Sequence, residues 1–235
     1  MPILDCSITS LKNLNHDTRQ VILDTGNRVS FHAGQYLEVI DGDKRYPFSI
    51  ASAPLNGQQL ELHVRPTPNS ADSDAFEALL DNESHLKIET PKGKCFVDGA
   101  PNRPLMLIAA STGVTQMKSI LEQLLADGLT HPTYLYWGVV SDQDLYLASL
   151  CETWSEDPNF HFVPVVSDPN SSPDWKGKTG LVGEVALQDF DSVADFLVIV
   201  GGSPNMVYAT LDMFTAKGLP EANMMSDVFD YAPRS

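Results

Sequence analysis

The sequence has little cysteine, little positive charge and no long apolar run. Its three cysteines, Cys6, Cys95 and Cys151, are odd in number and far apart. That excludes a disulfide framework, a zinc knuckle and an iron–sulfur ligand set, and it points to a reduced, cytoplasmic setting. Fifteen Lys and Arg stand against 31 Asp and Glu, for a formal charge of −16. Nucleic acid and anionic membrane surfaces both require clustered cations, so neither is expected as a partner. No stretch approaches the ~20 apolar residues that span a bilayer. The start, Met1-Pro2-Ile3-Leu4-Asp5, lacks the basic segment and apolar core of a secretory leader. The six histidines form no H-E-x-x-H pair, and no G-x-S-x-G elbow occurs, so no metal centre and no serine nucleophile are expected.

What remains is an ordinary globular composition, 43% hydrophobic and 20% charged over 235 residues, long enough for two domains. The first part is dense in short strand signals: Ser7 to Leu11, Arg19 to Leu23, Gln35 to Ile40, Tyr46 to Ala51, Gln59 to Val64 and Leu86 to Thr90. Turn clusters such as Asp24-Thr25-Gly26-Asn27 and Asp41-Gly42-Asp43 separate them. A helical stretch, Ser73 to Leu80, interrupts the series, with Ser73 and Asp74 as candidate caps. Six short strands predict an antiparallel β-barrel over residues 1–100.

After Pro101-Asn102-Arg103-Pro104 the rhythm changes. Strands at Leu105 to Ala109, Thr133 to Gly138, Phe160 to Val166 and Phe196 to Val200 alternate with helical segments. The helices are expected at Gln116 to Ala126, Leu145 to Trp154, Gly183 to Leu187 and Met206 to Ala216. That alternation predicts a Rossmann-like α/β domain with a parallel sheet over residues 101–235.

Three stretches carry chemistry. In Lys44 to Ser52 an apolar, β-prone run meets a hydroxyl cluster, suited either to a barrel strand or to holding a flat, polar-edged ring. Ala110 to Thr115 is a turn of small and hydroxyl residues between a buried strand and a helix. There, backbone N–H groups and the positive helix end can approach a pyrophosphate. Gly201-Gly202-Ser203-Pro204-Asn205-Met206 is a second such junction, its glycines permitting close approach of a ligand. In an open parallel sheet both fall at the carboxyl ends of strands, where ligands sit. The closing Met224 to Tyr231 reads as strand-like, with Phe229 packing in the core or returning to the ligand cleft.

An ordered set of motifs runs along the whole chain. It includes Ala33-Gly34-Gln35-Tyr36, Pro47-Phe48-Ser49-Ile50-Ala51, Glu61-Leu62-His63, Pro91-Lys92-Gly93 and the Ser111 to Thr115 turn. Tyr136-Trp137-Gly138, Asp144-Leu145-Tyr146, Pro164-Val165-Val166, Trp175-Lys176-Gly177 and Ser226-Asp227-Val228-Phe229 complete it. In this the chain resembles the NAD(P)H:flavin oxidoreductases, Fre- and LuxG-type, of the ferredoxin–NADP reductase superfamily. The resemblance implies NAD(P)H-dependent reduction of free FMN, FAD or riboflavin by hydride transfer from nicotinamide C4 to flavin N5. It implies a flavin site of Arg45, Tyr46, Pro47, Phe48, Ser49, His63, Val64 and Phe229, with the Ser49 hydroxyl near N5 as the catalytic group. It implies a nicotinamide nucleotide site of Ser111, Thr112, Gly113, Val114, Thr115, Gly201, Gly202, Ser203, Pro204 and Met206. Reduced flavin would serve a monooxygenase, a luciferase or ferric iron, from a monomer or homodimer. The alternatives are a reductase that keeps its flavin and passes electrons to a partner protein, and a non-catalytic flavin- or nucleotide-binding subunit.

The sequence departs from that family in four places. Tyr46 stands where the family usually has Arg before Pro-Phe-Ser. Arg45 lies one residue earlier, and strand alternation sends it to the opposite face. Ala110-Ser111-Thr112-Gly113 replaces Gly-Gly-Thr-Gly, Gly201 replaces a cysteine, and Val140 replaces an arginine suited to a 2′-phosphate.

Overall fold

Alternation of apolar and polar side chains sets the first half of the chain, and it produces an antiparallel sheet of six strands. A computed structural model describes residues 2–234; Met1 and Ser235, the outermost residues of the two expected domains, lie outside the described residues. The strands are β1 (Ile3–Asn13), β2 (Arg19–Asp24), β3 (Tyr36–Asp41), β4 (Lys44–Ser49), β5 (Gln59–Val64) and β6 (His85–Lys92), in spatial order β4-β3-β6-β1-β2-β5. A backbone hydrogen bond from Ala51 N to Glu61 O, 2.7 Å, ties the end of β4 to β5, so the two edge strands of the series meet. Cys6, Val21, Leu23, Leu37, Val39, Leu62 and Ile88 are fully buried in its core, and helix α1 (Ala71–Asn82) adds Phe76 and Leu80.

Several boundaries differ from expectation, the first strand by running from Ile3 to Asn13 rather than Ser7 to Leu11, and three others show why. Helix α1 starts two residues earlier, because Ser70 is its cap and accepts a hydrogen bond from Ser73 N. Ser73 is then a first-turn residue, whose hydroxyl accepts from Thr67 N at 2.8 Å. Strand β6 continues through Pro91 to Lys92 rather than stopping at the proline. Strand β4 ends at Ser49, and Ile50 and Ala51 leave the β3 ladder to bond Gln35 O and Glu61 O.

The second half alternates strand and helix. Strands β7 (Leu105–Ala110), β8 (Thr133–Val139), β9 (Phe160–Val166), β10 (Lys178–Thr179), β11 (Leu197–Gly201) and β12 (Met224–Met225) form a sheet in which every pairing is parallel. Its order is β10-β9-β8-β7-β11-β12, so the chain runs outward on one side of β7 and then resumes on the other. Five of the six residues of β7 are buried, as a central parallel strand covered on both faces requires. The helices are α2 (Val114–Asp127), α3 (Ala148–Trp154), α4 (Val182–Gln188), α5 (Pro204–Ala216) and α6 (Val228–Tyr231). The strand-like reading of the C-terminal segment holds only for Met224–Met225; Val228–Tyr231 is a helical turn.

Contacts divide the chain into two compact units. One runs to Phe96 and takes in Lys118–Gln123; the other holds Val97–Met117 and everything from Leu124 onward. The middle of α2 thus counts with the antiparallel sheet.

Candidate flavin and nucleotide sites

In the first unit, β4 distributes its residues by period two. Arg45 and Pro47 are exposed and Ser49 is half-buried on one face; Tyr46 is buried and Phe48 half-buried on the other. The Tyr46 and Phe48 rings both pack on Phe76, with centroids 5.0 and 4.6 Å apart. The strand therefore divides the trio Pro47, Phe48 and Ser49: its proline and hydroxyl face outward, and its ring turns to the core. Arg45 falls on the outward face, as alternation requires, with a long hydrogen bond of 3.5 Å from its guanidinium to Lys44 O. Among the described residues the Ser49 hydroxyl has no hydrogen-bond partner, which leaves it open to a ring heteroatom.

Strand β5 holds a feature that sequence reasoning missed. Leu60, Leu62 and Val64 face the core, yet Glu61 and His63 on the other face are buried too. His63 Nε2 lies 2.8 Å from Glu61 Oε1, which also accepts from Gln20 Nε2 at 2.6 Å. The Lys118 ammonium donates to Glu61 Oε2 at 2.8 Å, Glu122 Oε1 at 2.7 Å and Ala51 O at 3.2 Å. Ser119 Oγ donates to Ser52 O at 2.8 Å, and Ala53 N donates to Glu122 Oε2 at 3.0 Å. Burial alone would raise the Glu61 carboxyl. The His63 hydrogen bond and the Lys118 charge more than offset it and hold the group at about 2. This network clamps Ala51, Ser52 and Ala53, the backbone that follows Ser49. His63 is enclosed within it, and Val64 is buried in the core of this unit.

In the second unit the strand order reverses at β7, between β8 and β11, and ligands in open α/β sheets collect at such a switch point. The two small-residue junctions both lie there. Ser111–Gly113 form a short 3₁₀ turn after β7, and Ser111 adopts φ 51°, a strained value for a residue with a side chain. Trp137 Nε1, donating to Ser111 O at 2.9 Å, fixes that carbonyl. A Cβ on Gly113 would sit 2.3 Å from Gly201 O, so only glycine lets the two turns touch. Val114 and Thr115 are buried in the first turn of α2. Gly202 and Ser203 lead to Pro204 in the first turn of α5, where its missing N–H is harmless.

Ser111 and Met206 line a cavity of about 230 Å³ at this end of the sheet, together with Gly138 to Val140 after β8 and Gly180 to Gly183 before and within α4. The β8 and α4 portions were not among the expected site residues. Their sequence signal was only a glycine after a buried strand. Phe229 lies on α6, half-buried, with its ring 5.6 Å from that of Tyr208. It packs on the core of the second unit. Burial holds two of the cysteines as thiols, pushing Cys6 up to about 11 and Cys151 up to about 12.

An antiparallel six-stranded unit followed by a parallel six-stranded one with this switch-point site is the ferredoxin reductase-like architecture. Comparison with known proteins agrees. Residues 107–212 match the family model described as the oxidoreductase NAD-binding domain. The NAD(P)H-flavin reductase of Vibrio harveyi is 35% identical over 97% of this chain and 99% of its own length. A CDP-6-deoxy-L-threo-D-glycero-4-hexulose-3-dehydrase reductase of Yersinia pestis is 32% identical over 95% of this chain and 68% of its own. The crystal structure of a cytochrome P450 reductase from Amycolatopsis superposes with TM-score 0.87 at 26% identity, over 96% of this chain and 70% of that one. The chain belongs to the NAD(P)H-flavin reductase family.

Proposed function

We propose that the protein is an oxidoreductase that uses NAD(P)H to reduce free FMN, FAD or riboflavin. The observation that carries this reading is the meeting of the two nucleotide turns at the strand-order switch, over a cavity built of small and apolar side chains. Those residues fit a nicotinamide nucleotide: backbone approaches closely and the lining suits an apolar ring. The nicotinamide supplies a hydride and the flavin ring accepts it, with one proton taken up from water. The protein's part is to bind, orient and exclude water.

Residues 1–100 form the flavin domain and residues 101–235 the nucleotide domain. Ser111 to Thr115 and Gly201 to Met206 hold the nucleotide. The Ser49 hydroxyl holds a proton toward flavin N5, and the Lys118 network fixes the backbone behind it. Position 46, before Pro47-Phe48-Ser49, holds a buried tyrosine in place of a cation, which favours flavin as an exchanging substrate rather than one gripped tightly by its phosphate. The product then serves a separate acceptor, such as a flavin-dependent monooxygenase, a luciferase or ferric iron. We place the protein in the cytoplasm as a monomer or homodimer; no helix among the described residues is long and apolar enough to cross a membrane.

The test is NADH oxidation by purified, colourless protein with and without each free flavin. Marked stimulation by flavin is expected. Oxidation no faster with flavin than without it, or a yellow protein that keeps its flavin through gel filtration, refutes the reading.

A further inference from the structure

We propose that the nucleotide site selects NADH over NADPH, and that Val140 and the acidic loop ends beside it set the choice. The inference rests on the switch-point cavity being the nicotinamide nucleotide site. An NADPH site must meet the 2′-phosphate, close to two negative charges, with Arg or Lys. No charged residue is in the cavity lining among the described residues. At the end of β8 the exposed side chain is Val140, 56% accessible, and across the lining stands Leu181, 62% accessible. Two exposed aliphatic side chains on one cavity suit the faces of an adenine ring and offer nothing to a phosphate.

The polar groups nearby point the same way. Asp142 and Asp168 follow β8 and β9, the two strands beyond β7. Carboxylates at such strand ends suit a ribose 2′-hydroxyl, a donor, and repel a phosphate. Three hydroxyls on the loop after β9 are already engaged. Ser172 Oγ donates to Asp142 Oδ1 at 2.9 Å, Ser167 Oγ to Val139 O at 3.1 Å, and Ser171 Oγ to Asp168 O at 2.8 Å.

Cations are scarce in this unit, which carries five Lys and Arg against seventeen Asp and Glu, a net −12 of the chain's −16. Lys178 pairs with Asp189, and Arg234 makes two hydrogen bonds to Asp212, at 2.7 and 2.8 Å. Arg103 precedes β7, at the amino end of the sheet, and Lys217 follows α5. Lys176, exposed on the loop before β10, is absent from the cavity lining.

Calorimetric titration with NAD+ and NADP+ tests this without turnover, on the wild type, Val140→Arg and Asp142→Asn. Wild type is expected to bind NADP+ roughly tenfold to 100-fold more weakly, as like charges without a cation dictate. Val140→Arg should recover most of that gap, read as the ratio of the NADP+ to the NAD+ dissociation constant, and Asp142→Asn a smaller part. Equal or tighter binding of NADP+ by the wild type overturns the inference, whatever the variants do. So does failure of a folded Val140→Arg to narrow the gap. Selective NAD+ binding without flavin-dependent NADH oxidation upholds the selectivity and sinks the proposed reaction. Flavin reduction driven equally by NADPH does the reverse.

Discussion

Replacing Lys118 by methionine keeps the length of the side chain and removes its charge. The ammonium makes three short contacts, 2.8 Å to Glu61, 2.7 Å to Glu122 and 3.2 Å to Ala51 O, in a site where Lys118 itself is 5% exposed. Its loss leaves two carboxylates facing one another under cover, for which breaking a buried pair costs about 3–5 kcal/mol. Glu61 is held at about 2 against an ordinary 4.5, a linkage on the order of 3 kcal/mol that His63 and Lys118 share, so only part of it leaves with Lys118. A lowered carboxylate stabilises the fold above its unfolded value, and the contribution fades as pH falls from about 4.5 toward 2. In Lys118→Met this contribution shrinks, so the two proteins should differ most at neutral pH and converge toward pH 3. Urea unfolding of both at several pH values measures the difference. A gap that is independent of pH, or within about 1 kcal/mol at pH 7, would refute the reasoning. Lys118→Met combined with Glu61→Gln should recover part of the loss, since a double substitution isolates the pair. Because Lys118 also holds Ala51 O, the single variant should raise the KM for flavin more than that for NADH.

Further outcomes are expected at the two sites. Ser49→Ala should lower flavin turnover about tenfold or more, while NAD+ affinity by calorimetry stays near wild type; equal loss in both would remove Ser49 from its role. Gly113→Ala forces a Cβ to within 2.3 Å of Gly201 O, backbone against backbone. It should cost about 1–3 kcal/mol in urea unfolding and weaken nucleotide binding, with flavin affinity spared. Arg45→Ala, removing an exposed side chain with one long contact, should change stability by no more than about 0.5 kcal/mol and leave FMN and riboflavin used alike. A large selective loss with FMN would show that Arg45 grips the phosphate after all.

Much of the architecture was legible because each half repeats one pattern. Strands β5 and β9 match the sequence reading residue for residue, and the change of rhythm after Pro104 marks the change from antiparallel to parallel pairing. Helix starts were less legible. Gly113 leads directly into α2, and a bend with no side-chain cap leaves no residue signature. At the C-terminus, Val228, Phe229 and Tyr231 favour strand by propensity, and the packing of Val228 and Phe229 on Tyr208 and the second core overrode it. The close approach of the two small-residue junctions was visible, because turns of Gly, Ser and Thr announce it, and on that approach the proposed nucleotide site rests. The Lys118 network was not visible. Gln59 to Val64 alternates as though one face met water, but residues of α2, 57 positions away from Glu61, cover the polar face with charges of their own. Nothing local to β5 records that cover.

The most direct measurement mixes NADH with free FMN and catalytic protein under anaerobic conditions and follows both chromophores. One flavin should be bleached for each NADH consumed, through many turnovers per protein molecule. NADH consumption without flavin bleaching, or bleaching that stops at one equivalent per protein, would contradict the reduction of free flavin as the activity of this chain.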